Sequence, residues 1–276
     1  MSELAGMFLD ELERSRMINE LRERLINIET KVNVLLDVNA SGNTSTGQEK
    51  SYGGHADQAF GHVTYSQHGE DMILANIFHM LGNKQPSYLD IGAHHPFNIS
   101  NTAFFYERGS CGVNIEANPN LVSAFTQFRP RDKNVNVGVS TSAGTLDFYF
   151  IDDFSGRNTF DRESAYAFVE AYPQFKISKV VNIPVITINE AVDKYCDGVF
   201  PDILTLDIEG LDLPVLKSAD FSKNKPAVIC VETVSAANSD NMADTREVLN
   251  SKGYDLYTKT IGNGIFVNRD LAPNFT

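Results

Sequence analysis

No apolar run in this chain is long enough to cross a bilayer, so no membrane-spanning helix is expected. The start, Met1-Ser2-Glu3-Leu4, has no basic segment leading into an apolar stretch and a cleavage site, which makes the cytoplasm the expected location. Cysteine is scarce and unpaired. Cys111, Cys196 and Cys230 form an odd, widely spaced set without C-x-x-C, which speaks against a disulfide framework and against a thiolate zinc site. Each is expected to act as a small buried hydrophobe. Positive charge is short as well: 23 Lys and Arg face 36 Asp and Glu, a formal net charge of -13, and such a field repels a phosphate backbone. Nucleic acid is therefore a poor partner. What remains, 276 residues of 42% hydrophobic content, suits one main core plus an accessory segment.

The accessory segment comes first. Ile18, Leu21, Leu25, Ile28, Val32 and Leu35 alternate steps of three and four with charges between them, so residues 1–38 read as a coiled-coil helix that would make a homo-oligomer. A helix packed on the body is the alternative, because Glu11 and Arg14 interrupt the earlier phase of the repeat. The Gly-, Ser-, Thr- and Asn-rich tract 39–62 has too little apolar surface to order itself and reads as a linker. Residues 63–276 form the body.

In that body, strands and helices alternate. Helical spacing predicts helices over 69–81, 101–106, 121–128, 163–172, 187–195, 211–217 and 242–251. Short apolar runs predict buried strands at 88–91, 112–115, 135–139, 203–206 and 227–231, with 145–151 as an antiparallel or edge strand. A hairpin of 254–258 and 264–267 around Gly262 and Asn263 closes the chain. The expected fold is α/β, with a Rossmann-like, mostly parallel sheet ending in an antiparallel hairpin.

Two strand ends carry the chemistry. Tyr88-Leu89-Asp90-Ile91-Gly92 is a buried strand breaking into a glycine turn, and the next strand ends on Glu116, where doubly wound folds place an acid against ribose hydroxyls. The turn lacks G-x-G-x-x-G, since His94 stands where a second glycine would be and Pro96 follows. That disfavours a pyrophosphate and points to a phosphate-free nucleoside such as S-adenosylmethionine. An NAD-dependent oxidoreductase is the first rival reading. The second is a non-catalytic coiled-coil assembly protein with a vestigial pocket. Further along, Asp207, Glu209 and Glu232 converge on the same sheet edge. They allow two readings: Asp207, His94 or His95 as a general base with Glu209 orienting an acceptor, or all three acids on a divalent ion such as magnesium. Two histidines in sequence at a turn point in different directions, so at most one of His94 and His95 faces the reacting atoms.

Taken together, Ser66-Gln67-His68-Gly69-Glu70-Asp71, Asp90 to Pro96, Ser100-Asn101-Thr102, Asn114 to Pro119, Asn136 to Ser140, Thr159-Phe160 and Asp207 to Asp212 resemble the FkbM-type methyltransferase family over roughly residues 63–267. The family's usual Asp-x-Gly-Ala-Asn-x-Gly turn is replaced here at His94 and Pro96. The resemblance implies an S-adenosylmethionine-dependent O-methyltransferase acting on a hydroxyl of a sugar or glycan. It also implies Glu116 on the ribose, Ala117 and Asn118 near the adenosine, and Asp90, Gly92, Ala93 and His94 along the methionine portion. Gln67 and Asp71 would close the pocket, and Gly138 and Ser140 would line the adenine. An acidic chain is compatible with neutral or aminated saccharides.

Overall fold

The computed structural model describes residues 63–234 and 240–271. The coiled-coil helix 1–38, the linker 39–62 and the self-association read from them lie outside the described residues. The body opens with helix α1 (Glu70–Met80), followed by β1 (Tyr88–Ile91), α2 (Ala103–Glu107), β2 (Gly112–Glu116), α3 (Pro119–Phe128) and β3 (Lys133–Asn136). Then come β4 (Gly138–Val139), β5 (Gly144–Phe150), α4 (Arg162–Ala171), β6 (Lys179–Ile186), α5 (Ile188–Tyr195) and β7 (Ile203–Leu206). The chain continues through α6 (Asp212–Ser218), β8 (Val228–Glu232), α7 (Met242–Ser251), β9 (Tyr254–Lys259) and β10 (Asn263–Asn268).

Seven strands form one sheet in the order β3-β2-β1-β7-β8-β10-β9, parallel from β3 to β8, with β10 antiparallel to both its neighbours. Strand geometry sends alternate side chains to opposite faces, and the sequence uses both. Leu89, Ile91, Val113, Ile115, Leu204, Leu206, Ile229 and Val231 face α5, α6 and α7 through Ile188, Ala191, Val215, Leu216 and Leu249. Tyr88, Ile203, Val228, Cys230 and Ile265 face the other way, onto Leu74, Ile77 and Phe78 of α1 and Phe104 to Tyr106 of α2. Each fully buried aliphatic side chain contributes about 1.5–3 kcal/mol, so a one-residue slip that exchanged faces is strongly opposed. No described helix is long and apolar enough to cross a membrane.

Three local expectations are corrected. The run expected as one strand over 135–139 splits: β3 ends the large sheet, and β4 joins β5 and β6 in a second, three-stranded sheet. Asn136 Nδ2 donates to the carbonyls of Glu116 and Ala117 at 2.9 and 3.0 Å, which ends the pairing with β2. At Gly138 a Cβ would lie 2.3 Å from the Phe160 ring, so only glycine lets the chain cross to the smaller sheet there. Strand β6 was not expected at all; Pro184 hides it, since proline within a run argues against a strand. Finally, of the three cysteines only Cys230 is buried, whereas Cys196 is half-buried and Cys111 exposed.

Candidate active site

The crevice lies outside the carboxyl ends of β1, β2 and β7, where open α/β sheets place their ligands. Gly92 leaves β1 with φ 80°, and the amides of Gly92 and Ala93 both donate to Ile115 O, at 2.9 and 3.2 Å. A Cβ on Gly92 would lie 1.7 Å from Asp207 O, so the glycine is what lets the turn after β1 touch the turn after β7. His94 follows in the left-handed region, at φ 52°.

That turn aims at Glu116. Its Oε2 accepts from the His94 amide at 2.9 Å and its Oε1 from the Asn118 amide at 2.7 Å. Both oxygens are thereby fixed, and each keeps acceptor capacity for a ligand. Burial pushes the Glu116 carboxyl up to about 7 in spite of these two bonds. Asp90, at the end of β1, accepts from Thr102 Oγ1 at 2.7 Å, and burial raises it to about 6.

The crevice is open to solvent, with about 470 Å³ of unfilled space that includes its solvent-facing mouth. Leu121, Val137, Val139, Phe148 and Phe160 give it an apolar wall, and Ser155, Gly156 and Asn158 roof it. The roof is stitched down on three sides. Asp153 O accepts from Asn118 Nδ2 and Asn120 Nδ2 at 2.9 and 3.1 Å, Phe154 O lies 3.2 Å from His94 Nε2, and Thr159 Oγ1 donates to Glu209 O at 2.7 Å.

At the edge nearest β7 and β8, Asp207, Glu209 and Glu232 each place an oxygen within 4.8 Å of the others. Asp207 and Glu232 are hydrogen-bonded to each other. Burial first, then the charge of Asp207, holds Glu232 up to about 11, Glu209 to about 8 and neighbouring Asp212 to about 7, while burial raises Asp207 itself against the opposing pull of Arg157, His94 and the Glu232 hydrogen bond. Arg157 Nη1 stands 3.7 Å from Glu209 Oε1 and is half exposed. Glu209 Oε2 is enclosed and has no donor.

Of the residues named from sequence, Gly92, His94, Glu116, Ala117, Gly138, Asp207 and Glu209 line the crevice together. Others stand behind it or elsewhere. Asn118 caps α3, accepting from Asn120 N at 3.1 Å, and anchors the roof. Ser140 pairs its amide with Ile186 O in the smaller sheet, while Asp90 and Ala93 sit beneath the turn. Gln67 is exposed and is not among the residues that line the crevice. Asp71 is buried but taken up by the hydroxyls of Thr64 and Ser66 and the amides of Tyr65 and Met72, so it braces the start of α1. His95, expected as a possible base, does not line the crevice; its Nδ1 accepts from the amides of Phe97 and Asn98 at 3.1 and 2.8 Å, and burial followed by His94 lowers it to about 4. Arg157 and Asp212 were not singled out from sequence. Their proximity depends on the roof and on the β7 turn, which are remote from each other along the chain.

The sequence profile of the Methyltransferase FkbM domain matches residues 90–256, more than half of the chain, from the Asp90 strand end past all the clustered acids. The chain belongs to the FkbM methyltransferase family. A crystal structure of methyltransferase FkbM from Methylobacillus flagellatus KT is similar at 16% identity and a TM-score of 0.41, covering 67% of this chain and 44% of that one. This FkbM-family chain thus spans less than half the length of that relative. No curated protein matches the sequence.

Proposed function

We propose that this chain transfers a methyl group from S-adenosylmethionine to a hydroxyl of a sugar or glycan. The observation that carries the reading is Glu116, a buried carboxylate fixed by two backbone amides at the end of the second parallel strand, beside a glycine turn without a phosphate cradle. A ribose diol offers two donors to such a group. Leu121, Val139 and Phe148 supply the apolar wall a purine needs, and the turn at Gly92 to His94 is left for the methionine portion.

The charge of the site agrees. Glu116, Asp207 and Glu209 line the crevice, an environment that favours a sulfonium cation and opposes the pyrophosphate of a dinucleotide. The rival oxidoreductase is disfavoured on that ground. A vestigial pocket is disfavoured because clustered buried acids destabilise a fold and have no reason to persist without a ligand.

The bound cofactor would supply an activated methyl whose bond to sulfur breaks with the electron pair leaving on sulfur. The chain's task is then positioning and proton removal. Asp207, raised by burial and held by Glu232, is the base that takes the acceptor hydroxyl proton, and Glu209 orients the acceptor. The test is Glu116→Ala with S-adenosylhomocysteine in a calorimeter. Losing two charge-assisted hydrogen bonds costs about 3 kcal/mol, a weakening on the order of 100-fold. Unchanged affinity, or thermal stabilisation of the wild type by NAD alone, sinks the reading.

A second reading, a divalent ion on Asp207, Glu209 and Glu232, is favoured by the enclosed, donorless Glu209 Oε2. Under the metal-free proposal, turnover in metal-stripped buffer with excess EDTA equals turnover in magnesium; loss of activity there supports the ion.

A further inference from the structure

The two residues whose backbone amides fix Glu116 are the same two whose side chains hold the roof. His94 donates its amide to Glu116 Oε2 at 2.9 Å while its ring Nε2 lies 3.2 Å from Phe154 O. Asn118 donates its amide to Glu116 Oε1 at 2.7 Å while its Nδ2 donates to Asp153 O at 2.9 Å. A carbonyl only accepts, so His94 Nε2 carries the proton in its contact. The imidazole lies directly under the loop, because a Cβ built on Gly156 would meet the ring at 3.4 Å. Ser155, Gly156 and Asn158 line the crevice together with Glu116, so in this position the loop covers whatever Glu116 holds.

The roof is built to move as one piece. Asn158 closes its base, its Oδ1 accepting from Ile151 N at 2.8 Å and its Nδ2 donating to Asp152 O at 2.9 Å. Within the loop, Phe154 N donates to Asp152 Oδ1 at 2.7 Å and Arg157 N to Ser155 Oγ at 3.0 Å. A loop tied at its base and packed on itself behaves as a unit. Its hold on the crevice is polar and shallow. Residues 152–154, 156 and 157 are exposed, and Phe154 is 66% exposed rather than packed beneath. The ties across the crevice are the donors of His94, Asn118 and Asn120, with the exposed Lys179–Asp153 ion pair at the flank. A segment with few buried apolar contacts and solvent-exposed hydrogen bonds opens well below the cost of global unfolding. The same loop carries Arg157, whose Nη1 stands 3.7 Å from Glu209 Oε1, so opening also withdraws a cation from the acids.

We propose that residues 152–157 are a lid over the Glu116 crevice and that His94 and Asn118 are the positioning residues that clasp it, so that one pair of residues both presents Glu116 to the ligand and closes the loop over it. The identity of the ligand rests on the methyltransferase reading, whereas the clasp can be measured without any ligand. Full-length wild type, His94→Asn and Asn118→Asp are immobilised, and S-adenosylhomocysteine is passed over them by surface plasmon resonance. Asparagine at position 94 tolerates the left-handed backbone, φ 52°, and keeps the amide on Glu116, but it is shorter than the imidazole that reaches Phe154 O. Aspartate at position 118 still caps Asn120 N and cannot donate to Asp153 O. Each variant is expected to raise the association and dissociation rates together by about two- to tenfold, the equivalent of one hydrogen bond, with Kd changed by less than about twofold. Loss of a direct contact to the ligand would raise dissociation alone. Hydrogen exchange read by mass spectrometry follows the loop itself: exchange across 151–158 is expected to quicken in both ligand-free variants and to slow in the wild type once S-adenosylhomocysteine is bound. Unchanged binding rates, a rise in dissociation alone, loop exchange that is unchanged in the variants, or no slowing on binding each overturns the lid. Failure of S-adenosylhomocysteine to bind the wild type, with loop exchange still quickened in both variants, supports the clasp and counts against the cofactor reading.

Discussion

Asp207→Asn is expected to lower kcat by about 10²- to 10⁴-fold, the usual contribution of a positioned base, and to raise the melting temperature. Both effects come from one placement. Asp207 follows β7, lines the crevice, and is hydrogen-bonded to Glu232, the placement that the proposed base requires. Asparagine keeps the shape and removes the proton acceptor. It also removes a buried like charge from beside Glu209, Asp212 and Glu232, each of which Asp207 pushes upward. Affinity for S-adenosylhomocysteine is expected to change little, because Glu116 is untouched. The sign of the pH dependence follows. Glu116, Asp212 and Glu209 have folded values of about 7, about 7 and about 8, above their unfolded ones, so the folded state holds protons that the unfolded state releases. Their stabilisation is fully present below pH ~4 and is lost as pH rises toward ~8, so the melting temperature should fall across that window, less steeply in the variant. A wild-type melting temperature that rises across it, or an Asp207→Asn enzyme with near-normal kcat, would refute this assignment.

Arg129→Met is expected to cost about 3–5 kcal/mol of stability, as for other broken buried ion pairs. The guanidinium is fully buried, and Nε pairs with Asp132 Oδ2 at 2.8 Å. Nη1 donates to Thr102 Oγ1 at 3.0 Å, Pro96 O at 3.3 Å and Ser100 Oγ at 3.4 Å, tying down the segment between the Gly92 turn and α2. Tyr88, Tyr106 and Phe125 enclose it, with ring centres 5.1–5.7 Å away. Asp132 in turn accepts from Tyr88 Oη, Gly112 N and Asn114 Nδ2. Without the arginine a buried carboxylate keeps its neutral donors and loses its counter-charge. Lysine does not replace a fork that serves four partners, so Arg129→Lys should be nearly as damaging. Urea titrations measure both, and the double variant with Asp132→Asn should recover part of the loss. A loss below about 1 kcal/mol in the single variants would mean the network relaxes around the gap.

The parts legible in the sequence share a local cause. Tyr88–Ile91, Gly112–Glu116, Ile203–Leu206 and Val228–Glu232 are short apolar runs closed by an acid or a glycine turn, so their type, burial and carboxyl edge follow from neighbours a few residues away. Gly92, Glu116, Asp207, Glu209 and Glu232 could be named as candidates for the same reason. Other features have no local signature. The crossing of Val137 between two sheets depends on the contact of Gly138 with Phe160, and β6 exists because β4 and β5 pair with it around Pro184.

The chain's own order of residues therefore determined an α/β body with a mostly parallel sheet, an acid at each of several strand ends, and a glycine turn after β1 that lacks the G-x-G-x-x-G phosphate cradle. Only the folded arrangement decided that His94 faces the crevice while His95 caps a turn, that Gln67 and Asp71 are not in its lining, and that Arg157 and Asp212 join the acids. The physical reason is range. Hydrophobic period and turn chemistry act over a few residues, whereas burial, charge coupling and cavity shape arise from groups far apart in the chain, such as Gly92 and Asp207, that meet only once the sheet is assembled.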